Sequence, residues 1–379
     1  MSENKKLIED ILSRVERSGD PDTDAVKAAE ARQEQLAKPT GALGYLEDIT
    51  IRLAGITGQV KNDVSRQAVA VFSADNGVCA EGVASAPQSV TYSQTINMPR
   101  RFTGVSSMAK YWNFDLMVVN MGVKMDIPET LMTHDMISEG RIAQKIVDRR
   151  LAPGTEDLAK GPAMTEEQME KAFLTGIEAA KAMKDAGIQV FGIGEMGIGN
   201  TTTSACVLAA LTGRSAEEVV GRGGGLTDEG LAKKIEIVGA AAAANAGLDP
   251  LTVIRNVGGF DIAAMTGAYV GAALYRIPVV IDGYISAVAA LAAARVCPKA
   301  TNFMFASHKS KEQGYVIAME ELGMRPLFDL GMRLGEGSGC PITFKIMETA
   351  CATMNLMATY DEGAIDADYL EQRKSGNFF

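Results

Sequence analysis

The sequence contains few of the residues that commonly bind metals or form crosslinks. Among its 379 residues there are two histidines, His134 and His308, and one tryptophan. Its cysteines are odd in number, widely spaced and include no Cys-x-x-Cys pair: Cys79, Cys206, Cys297, Cys340 and Cys351. A zinc site of ordinary ligand spacing cannot be assembled from such neighbours. We therefore predict reduced, mostly buried thiols, no structural metal and no resident cofactor.

The sequence also lacks an excess of basic charge and long apolar runs. It has 37 Lys and Arg against 47 Asp and Glu, a net charge of −10, which argues against an extended nucleic-acid surface. The stretch closest to a membrane helix, residues 281–294, contains Asp282 and is shorter than the roughly 18 residues required. The start, MSENKKLIED, has no apolar signal-peptide core. We expect a cytoplasmic protein without a membrane-spanning segment.

Apolar residues make up 47% of the sequence, enough to form a large core. Short apolar segments typical of buried strands alternate with helical segments; the strands are expected at residues 68–74, 114–121, 190–193, 278–281 and 301–306. This alternation predicts an α/β fold, a Rossmann-like large domain whose mainly parallel sheet has helices on both faces. The expected domains are an N-terminal helical arm at 1–60, the catalytic domain at 61–340 and a C-terminal helical segment at 341–379. The two terminal segments form a smaller helical part.

Two regions depart from this alternation. Residues 4–37 predict two polar amphipathic helices that carry little for a central core, so we expect them to cover a site or to pack on a second subunit. Residues 123–162 are irregular and charged, and we interpret them as a long excursion over the surface.

The stretch at residues 189–205, QVFGIGEMGIGNTTTSA, combines a short strand, a glycine-rich turn and the start of a helix. Its glycines leave backbone amides uncovered, and residues 200–203 supply capping side chains before the helix. Exposed N–H groups and the positive end of a helix dipole favour a phosphate. The stretch therefore predicts a phosphate site.

Two other interpretations of this stretch remain open. Gly192, Gly194 and Gly197 also fit the dinucleotide fingerprint, which requires an acidic residue about 20 positions later at the end of a strand. Glu217 and Glu218 lie at that distance, but they follow Ser215 in what resembles a capped helical turn. The glycines could also form a purely structural tight turn.

Polar residues follow several of the predicted strands. Asp75 and Asn76 end the first strand, Asp282 ends the fourth, and Ser307 ends the fifth. The carboxyl ends of parallel strands share one edge, which is where open α/β sheets bind ligands. Glu336 lies between Gly335 and Gly337, where surrounding apolar residues can raise its pKa toward that of a general base. Taken alone, Glu336 is more typical of an ordinary loop carboxylate.

Several motifs resemble, in order, those of the nicotinate-nucleotide:dimethylbenzimidazole phosphoribosyltransferase family. They are KPTGALG at 38–44, DNGV at 75–78, PQSVT at 87–91, GEMGIGNTT at 194–202, GRG at 221–223, GG at 258–259, VIDG at 280–283, SHKS at 307–310 and LGEGSG at 334–339. The resemblance spans about residues 36–358, and the GEMGIGNTT and LGEGSG strings are highly specific. It implies transfer of phosphoribose from nicotinate mononucleotide to a lower-ligand base of cobamides.

The resemblance also implies roles for particular residues. The family's general base falls on Glu336, and its acidic residue beside the ribose falls on Glu195. The residues expected to bind the phosphate are Gly197, Gly199, Asn200, Thr201, Thr202 and Lys234. The other expected substrate-binding residues are Asp75, Gln94, Gly223, Asp282, Ser307, Arg333 and Leu334, among which Gln94 lines the acceptor pocket.

The acceptor and the assembly are left open by the resemblance. Asn76 stands where the family generally has histidine, Gly224 and Ala86 replace other small residues, and Cys340 with Pro341 follows LGEGSG. The acceptor is 5,6-dimethylbenzimidazole or a related azole; phenol or p-cresol is the alternative, and an NAD-dependent dehydrogenase is the second alternative. The expected assembly is a homodimer or a heterodimer with a related chain.

Overall fold

The computed structural model describes residues 2–366. Contacts divide these residues into two compact units: a larger unit of residues 2–19 and 66–343, and a smaller unit of residues 20–65 and 344–366. The first helix thus belongs to the larger unit, whereas the sequence placed it with the rest of residues 1–60. Residues 367–379 of the expected C-terminal segment lie outside the described residues.

The helices of residues 2–366 are α1 (Glu3–Ser18), α2 (Thr23–Gln35), α3 (Tyr45–Thr57), α4 (Ser89–Asn97), α5 (Gly104–Trp112), α6 (Glu166–Asp185), α7 (Asn200–Thr212), α8 (Ala216–Val219), α9 (Asp228–Asn245), α10 (Pro250–Val257), α11 (Phe260–Tyr275), α12 (Tyr284–Val296), α13 (Gln313–Leu322) and α14 (Cys340–Leu356). Short 3-10 helices cover Gly77–Glu81, Glu129–Leu131 and Pro298–Phe303. The strands are β1 (Gln67–Ala74), β2 (Asp115–Gly122), β3 (Met132–Thr133), β4 (Ile137–Ser138), β5 (Arg141–Ile142), β6 (Ile146–Asp148), β7 (Val190–Met196), β8 (Val279–Ile281) and β9 (Met304–Ala306).

The main sheet of the larger unit has the strand order β3-β6-β2-β1-β7-β8-β9, and every neighbouring pair is parallel. The chain builds outward from β1 in one direction with β2 and in the other with β7. Right-handed crossovers in opposite directions place helices on opposite faces. The predicted α/β class is confirmed, and the strand order reverses between β1 and β7, where such sheets form a ligand crevice.

The interpretation of residues 123–162 as a surface excursion is wrong in part. β6 pairs with β2, and β3 pairs with β6, so this region extends the main sheet by two strands. Ile146 and Val147 are fully buried there. The strands are two or three residues long, too short for an alternation pattern to identify. The last predicted strand is also shorter than expected, because residues 298–303 form a 3-10 helix.

The apolar face of α1 is covered by its own chain. Ile8, Ile11 and Val15 are buried, and α1 packs on α6 and α11 of the larger unit. Ser2 caps the helix and also donates from Oγ to Glu170 Oε2 at 2.7 Å. This face therefore does not require a second subunit to shield it from water.

The smaller unit has a core and a buried ion pair of its own. Ala25, Ala29, Leu36, Ala54 and Met354 form the apolar cluster. In the KPTGALG motif, the ammonium of Lys38 lies 2.8 Å from Glu47 Oε1, with both side chains largely buried. Two buried charges are costly unless they are closely paired, so this contact gives Lys38 of the motif a structural role within the unit.

Residues 2–366 can be examined for membrane helices, metal sites and disulfides. None of their helices is both long enough and apolar enough to cross a bilayer. No three His, Cys, Asp or Glu side chains in this part of the chain lie together as a potential metal site. The five cysteines are unpaired, and all but the half-buried Cys79 are buried.

Candidate active site

A cavity of about 300 Å³ lies at the carboxyl edge of the main sheet, where β7 ends. Its wall combines loops that follow different strands with the first residues of α7. The sequence-predicted residues that line it are Gln94, Glu195, Gly197, Gly199, Asn200, Thr201, Gly223, Lys234, Arg333, Leu334 and Glu336. The cavity therefore brings together residues that are more than 200 positions apart in the chain, such as Gln94 and Glu336.

The glycine-rich turn is shorter than the sequence suggested. β7 continues through Met196, and α7 begins at Asn200, so the turn consists of residues 197–199. Gly199 is the N-cap, and its φ of 95° is a backbone conformation that residues other than glycine rarely adopt. Residues 200–203 were predicted to cap the helix from outside, but they form its first turn, and α7 has no side-chain cap.

Basic side chains surround the first turn of α7. Lys234 is fully buried and donates from Nζ to Thr201 Oγ1 at 2.9 Å. Arg222 and Arg333 line the same cavity, and Lys311 lines an adjoining cavity of about 260 Å³ that shares Lys234 with the first. An anion bound here would thus meet cationic side chains as well as helix amides.

Two titrating groups of this region influence each other. Burial lowers the pKa of Lys234 to about 8, opposed by the negative charge of Glu312. Burial raises the pKa of Glu312 to about 7, opposed by the positive charge of Lys234. Sequence reasoning missed Arg222, Lys311 and Glu312. Lys311 and Glu312 directly follow the strand-end motif SHKS, so a longer window after β9 would have included them.

Glu336 has an unusual backbone and a sheltered carboxylate. Its φ is 61°, between 82° at Gly335 and 82° at Gly337, and a left-handed glutamate costs about 1–2 kcal/mol. Its Oε2 accepts the Val105 N–H at 3.1 Å from the first turn of α5. Burial raises the pKa of Glu336, and hydrogen bonds from Val105, Thr103 and Gly104 oppose that rise. The result is a buried carboxylate with increased basicity at the cavity wall.

Glu195 lies in a buried acidic cluster with Asp261. The Asn200 side-chain amide donates to Glu195 Oε2 and, at 3.2 Å, to Asp261 Oδ2. Burial, followed by the negative charge of Asp261, raises the pKa of Glu195 well above its usual range. Burial also raises the pKa of Asp261 to about 6. Asp261 was missed from the sequence, although its position just after Gly258 and Gly259 at a helix start was a usable signal.

Four other sequence-predicted residues, Asp75, Thr202, Asp282 and Ser307, are fully buried behind the cavity wall. Asp75 Oδ2 accepts the Lys124 N–H at 2.8 Å. Asp282 accepts backbone N–H groups of the loop that carries Glu336. Ser307 Oγ donates to the Asp282 carbonyl at 3.2 Å. The structure thus brings these residues close to the site without exposing them to the cavity.

The dinucleotide interpretation is not supported by the local structure. Glu217 and Glu218 lie in the single turn of α8, which Ser215 and Glu218 close as a capping box. Neither glutamate ends a strand, so the acidic residue required for a ribose contact is missing from the expected place.

Comparison with known proteins agrees with the motifs. Residues 19–365 match the family model described as "Phosphoribosyltransferase". The chain is 49% identical over 355 residues to the nicotinate-nucleotide–dimethylbenzimidazole phosphoribosyltransferase of Clostridium perfringens, covering 93% of this chain and 94% of that protein. It is 44% identical over 345 residues to the protein of the same name from Ruminiclostridium cellulolyticum, covering 90% and 94%. The crystal structure of CobT from Thermus thermophilus superposes with a TM-score of 0.84 at 38% identity, covering 90% of this chain and 99% of that one. The chain therefore belongs to the nicotinate-nucleotide–dimethylbenzimidazole phosphoribosyltransferase family.

Proposed function

We propose that this protein transfers the 5-phosphoribosyl group of nicotinate mononucleotide, with inversion, to 5,6-dimethylbenzimidazole or a related azole. The products are nicotinate and an α-riboside 5′-phosphate for assembly of the cobamide nucleotide loop. The observation that carries the proposal is the buried Glu336 carboxylate at the wall of one cavity. The same cavity contains Thr201, in the first turn of α7, and Lys234, which donates to Thr201. A base and an anion site in one cavity are what this reaction requires.

The chemistry requires one proton acceptor. Nicotinate leaves from a pyridinium, so its nitrogen becomes neutral as the bond to C1′ breaks and no general acid is needed. The azole nitrogen that attacks C1′ forms the new bond, and the other nitrogen must lose its proton. Glu336 accepts that proton in our proposal, and its raised pKa makes it a stronger base than an exposed carboxylate.

The phosphate is proposed to bind at the first turn of α7. Thr201, Gly223 and Lys234 supply a hydroxyl, a backbone without a side chain and a cation, while Arg222 and Arg333 add positive charge to the wall. Of the expected phosphate ligands, Gly197, Gly199 and Asn200 line the cavity. Thr202 is buried, and its backbone N–H donates to the Gly199 carbonyl at 2.9 Å.

Glu195 is proposed to lie beside the ribose. Positive charge develops on the ribose as nicotinate leaves, and an ionised carboxylate stabilises that charge. Burial and Asp261 disfavour the ionised form of Glu195 in the free protein. The developing positive charge relieves that penalty, so the interaction is stronger in the transition state than in the ground state.

The acceptor is proposed to bind beside α4, where Gln94 and Val90 face a cavity wall that also includes Ala86, Met196 and Leu334. These side chains are mainly apolar and suit a flat aromatic ring. The relatives are named for dimethylbenzimidazole, which favours an azole over a phenol. We further propose a homodimer, or a heterodimer with a related chain, in the cytoplasm, where unpaired thiols are stable.

Purified protein incubated with nicotinate mononucleotide and a panel of benzimidazoles and phenols tests the proposal. Mass spectrometry is expected to detect a riboside phosphate and stoichiometric nicotinate with benzimidazoles. Product with phenols alone would change the acceptor, and no nicotinate release with any acceptor would reject the reaction. Light scattering of the same sample at several concentrations tests the dimer.

A further inference from the structure

Asp282 lies at the carboxyl end of β8, beneath the loop that carries Glu336. Its Oδ2 accepts the Gly337 N–H at 3.0 Å, and its Oδ1 accepts the Gly339 N–H at 2.6 Å. Both oxygens of one carboxylate are thus used by two amides of the same short loop. An ionised carboxylate is an acceptor only, so it fits two converging donors.

The loop needs such a restraint. Gly335, Glu336 and Gly337 are consecutive residues with positive φ, and a glutamate in that conformation persists only where its surroundings over-determine it. The Glu336 side chain contributes its hydrogen bond from Val105 N–H. That contact fixes the carboxylate, but it does not fix the peptide groups that follow Glu336.

The surrounding backbone leaves little space for the loop to shift. A Cβ atom added to Gly194 of β7 would lie 2.3 Å from Gly337 N. A Cβ added to Gly339 would lie 2.9 Å from Asp282 Oδ1 and 2.7 Å from Ser307 Oγ. The loop is therefore held against the ends of β7, β8 and β9, with Asp282 as its charged anchor.

We propose that Asp282 is a positioning residue that holds Glu336 at the cavity wall through the Gly337 and Gly339 amides, and that it does not itself bind substrate. This inference rests on the proposed function, because it assigns Asp282 to the base of that reaction. It differs from the substrate-binding role expected from the sequence. The cavity lining supports the difference, because it includes Lys234 and Glu336 but not Asp282.

Asp282→Asn tests the proposal with little change in shape. The asparagine oxygen can still accept from one loop amide, but its NH₂ group faces the other amide as a second donor. We expect kcat to fall about 10- to 100-fold, the range for loss of a hydrogen bond to a charged group, while KM for nicotinate mononucleotide changes less than threefold. Asp115→Asn is the matched control, since it neutralises another buried carboxylate, paired with Arg141 at the start of β2, and should leave kcat within threefold.

A double variant separates positioning from substrate contact. If Asp282 acts through Glu336, adding Asp282→Asn to Glu336→Gln should leave the residual turnover unchanged within threefold. Three results would each overturn the proposal. The first is a double variant whose loss of turnover is the product of the two single losses. The second is a rise in KM for the nucleotide as large as the fall in kcat, and the third is parental turnover of Asp282→Asn. If Asp282→Asn does not fold, Asp282→Ser, whose hydroxyl can accept from one amide, allows the same comparison.

The proposed function can fail separately. A parent protein that transfers no phosphoribose to any acceptor would reject the reaction, and the positioning role would then be decided by a crystal structure of the folded variant. Displacement of Glu336 from its left-handed conformation would support the role of Asp282. An unchanged loop would refute it.

Discussion

Glu336→Gln is the substitution that most directly examines the reaction. Glutamine keeps the length of the side chain, and its oxygen can still accept the Val105 N–H that now reaches Glu336 Oε2 at 3.1 Å. The left-handed φ of 61° costs a glutamine about as much as a glutamate. The loop should therefore be preserved, so that loss of activity reports the loss of proton acceptance.

The size of the loss follows from the chemistry of the acceptor. Removing a general base typically costs 10²- to 10⁴-fold in rate, which is about 3–5 kcal/mol of activation free energy. An azole has a lone pair available before its proton leaves, so we expect a loss near 10²-fold with benzimidazoles. A phenol gains nucleophilicity mainly as its proton is removed, and any phenol turnover should fall further. Azoles with electron-withdrawing substituents, which release the proton more easily, should lose least.

The assay measures nicotinate release at a saturating concentration of nicotinate mononucleotide, and it gives kcat and the KM for the acceptor over a range of pH. Glu336 must be ionised to act, so the parental rate should fall as pH drops through the Glu336 pKa, which burial raises from its ordinary value. The variant should lose this acid limb. Glu320→Gln, an exposed carboxylate of α13, is the control. Turnover of Glu336→Gln within threefold of the parent, or an unchanged acid limb, would refute the reasoning and make Glu195 the next candidate base.

Three further predictions concern the walls of the site. Lys234→Met should raise KM for nicotinate mononucleotide about 10- to 100-fold with little change in KM for the acceptor, since a charged hydrogen bond to the phosphate is lost. Steady-state kinetics measures both KM values, with Thr201→Val assayed in parallel. Equal changes in the two KM values would show that the phosphate lies elsewhere. Gly199→Ala should lower the free energy of unfolding by about 1–3 kcal/mol, because φ is 95° and the new Cβ would lie 2.6 Å from Cys79 Sγ. Urea unfolding should show that adding Cys79→Ala restores part of the lost stability. If no stability is restored, the clash with Cys79 is not the cause. Asp261 has a pKa raised to about 6, so its contribution to stability is present below about pH 4 and is lost as pH rises through 6. The free energy of unfolding of Asp261→Asn should therefore fall less between pH 4 and 7 than that of the parent. An equal fall in both proteins would contradict the raised pKa.

Much of the fold could be predicted from the sequence because its signals are local. Strands such as β1 and β7 are short apolar runs that end in glycine or polar residues, and their alternation with helices determines the class. Strand order is a long-range property, and the pairing of β3 and β6 with the main sheet depends on contacts that strands of two or three residues do not encode. The docking of α1 on α6 and α11 likewise becomes visible only when the partner helices are in place.

The candidate site shows the same division. The family motifs placed Thr201, Lys234 and Glu336 in one site, and all three line one cavity. The strand-end rule could not separate residues that face this cavity from those behind it. Asp282 occupies such a strand end and is directed at loop amides instead. Asp261 was missed because its importance comes from burial beside Asn200, a contact between residues 61 positions apart.

Two glycine-rich motifs that are far apart in the chain form one surface at the end of the sheet. A Cβ at Gly194, in GEMGIGNTT, would lie 2.3 Å from the backbone nitrogen of Gly337, in LGEGSG, and a Cβ at Gly335 would lie 2.5 Å from Glu195 Oε1. Glycine at these positions lets the loop that carries Glu336 approach the strand that carries Glu195. In the proposed reaction, the two carboxylates therefore act on two neighbouring substrates, Glu195 on the ribose of the nucleotide and Glu336 on the N–H group of the azole. This close approach explains in physical terms why a glycine precedes the glutamate in both motifs, Gly194 before Glu195 and Gly335 before Glu336.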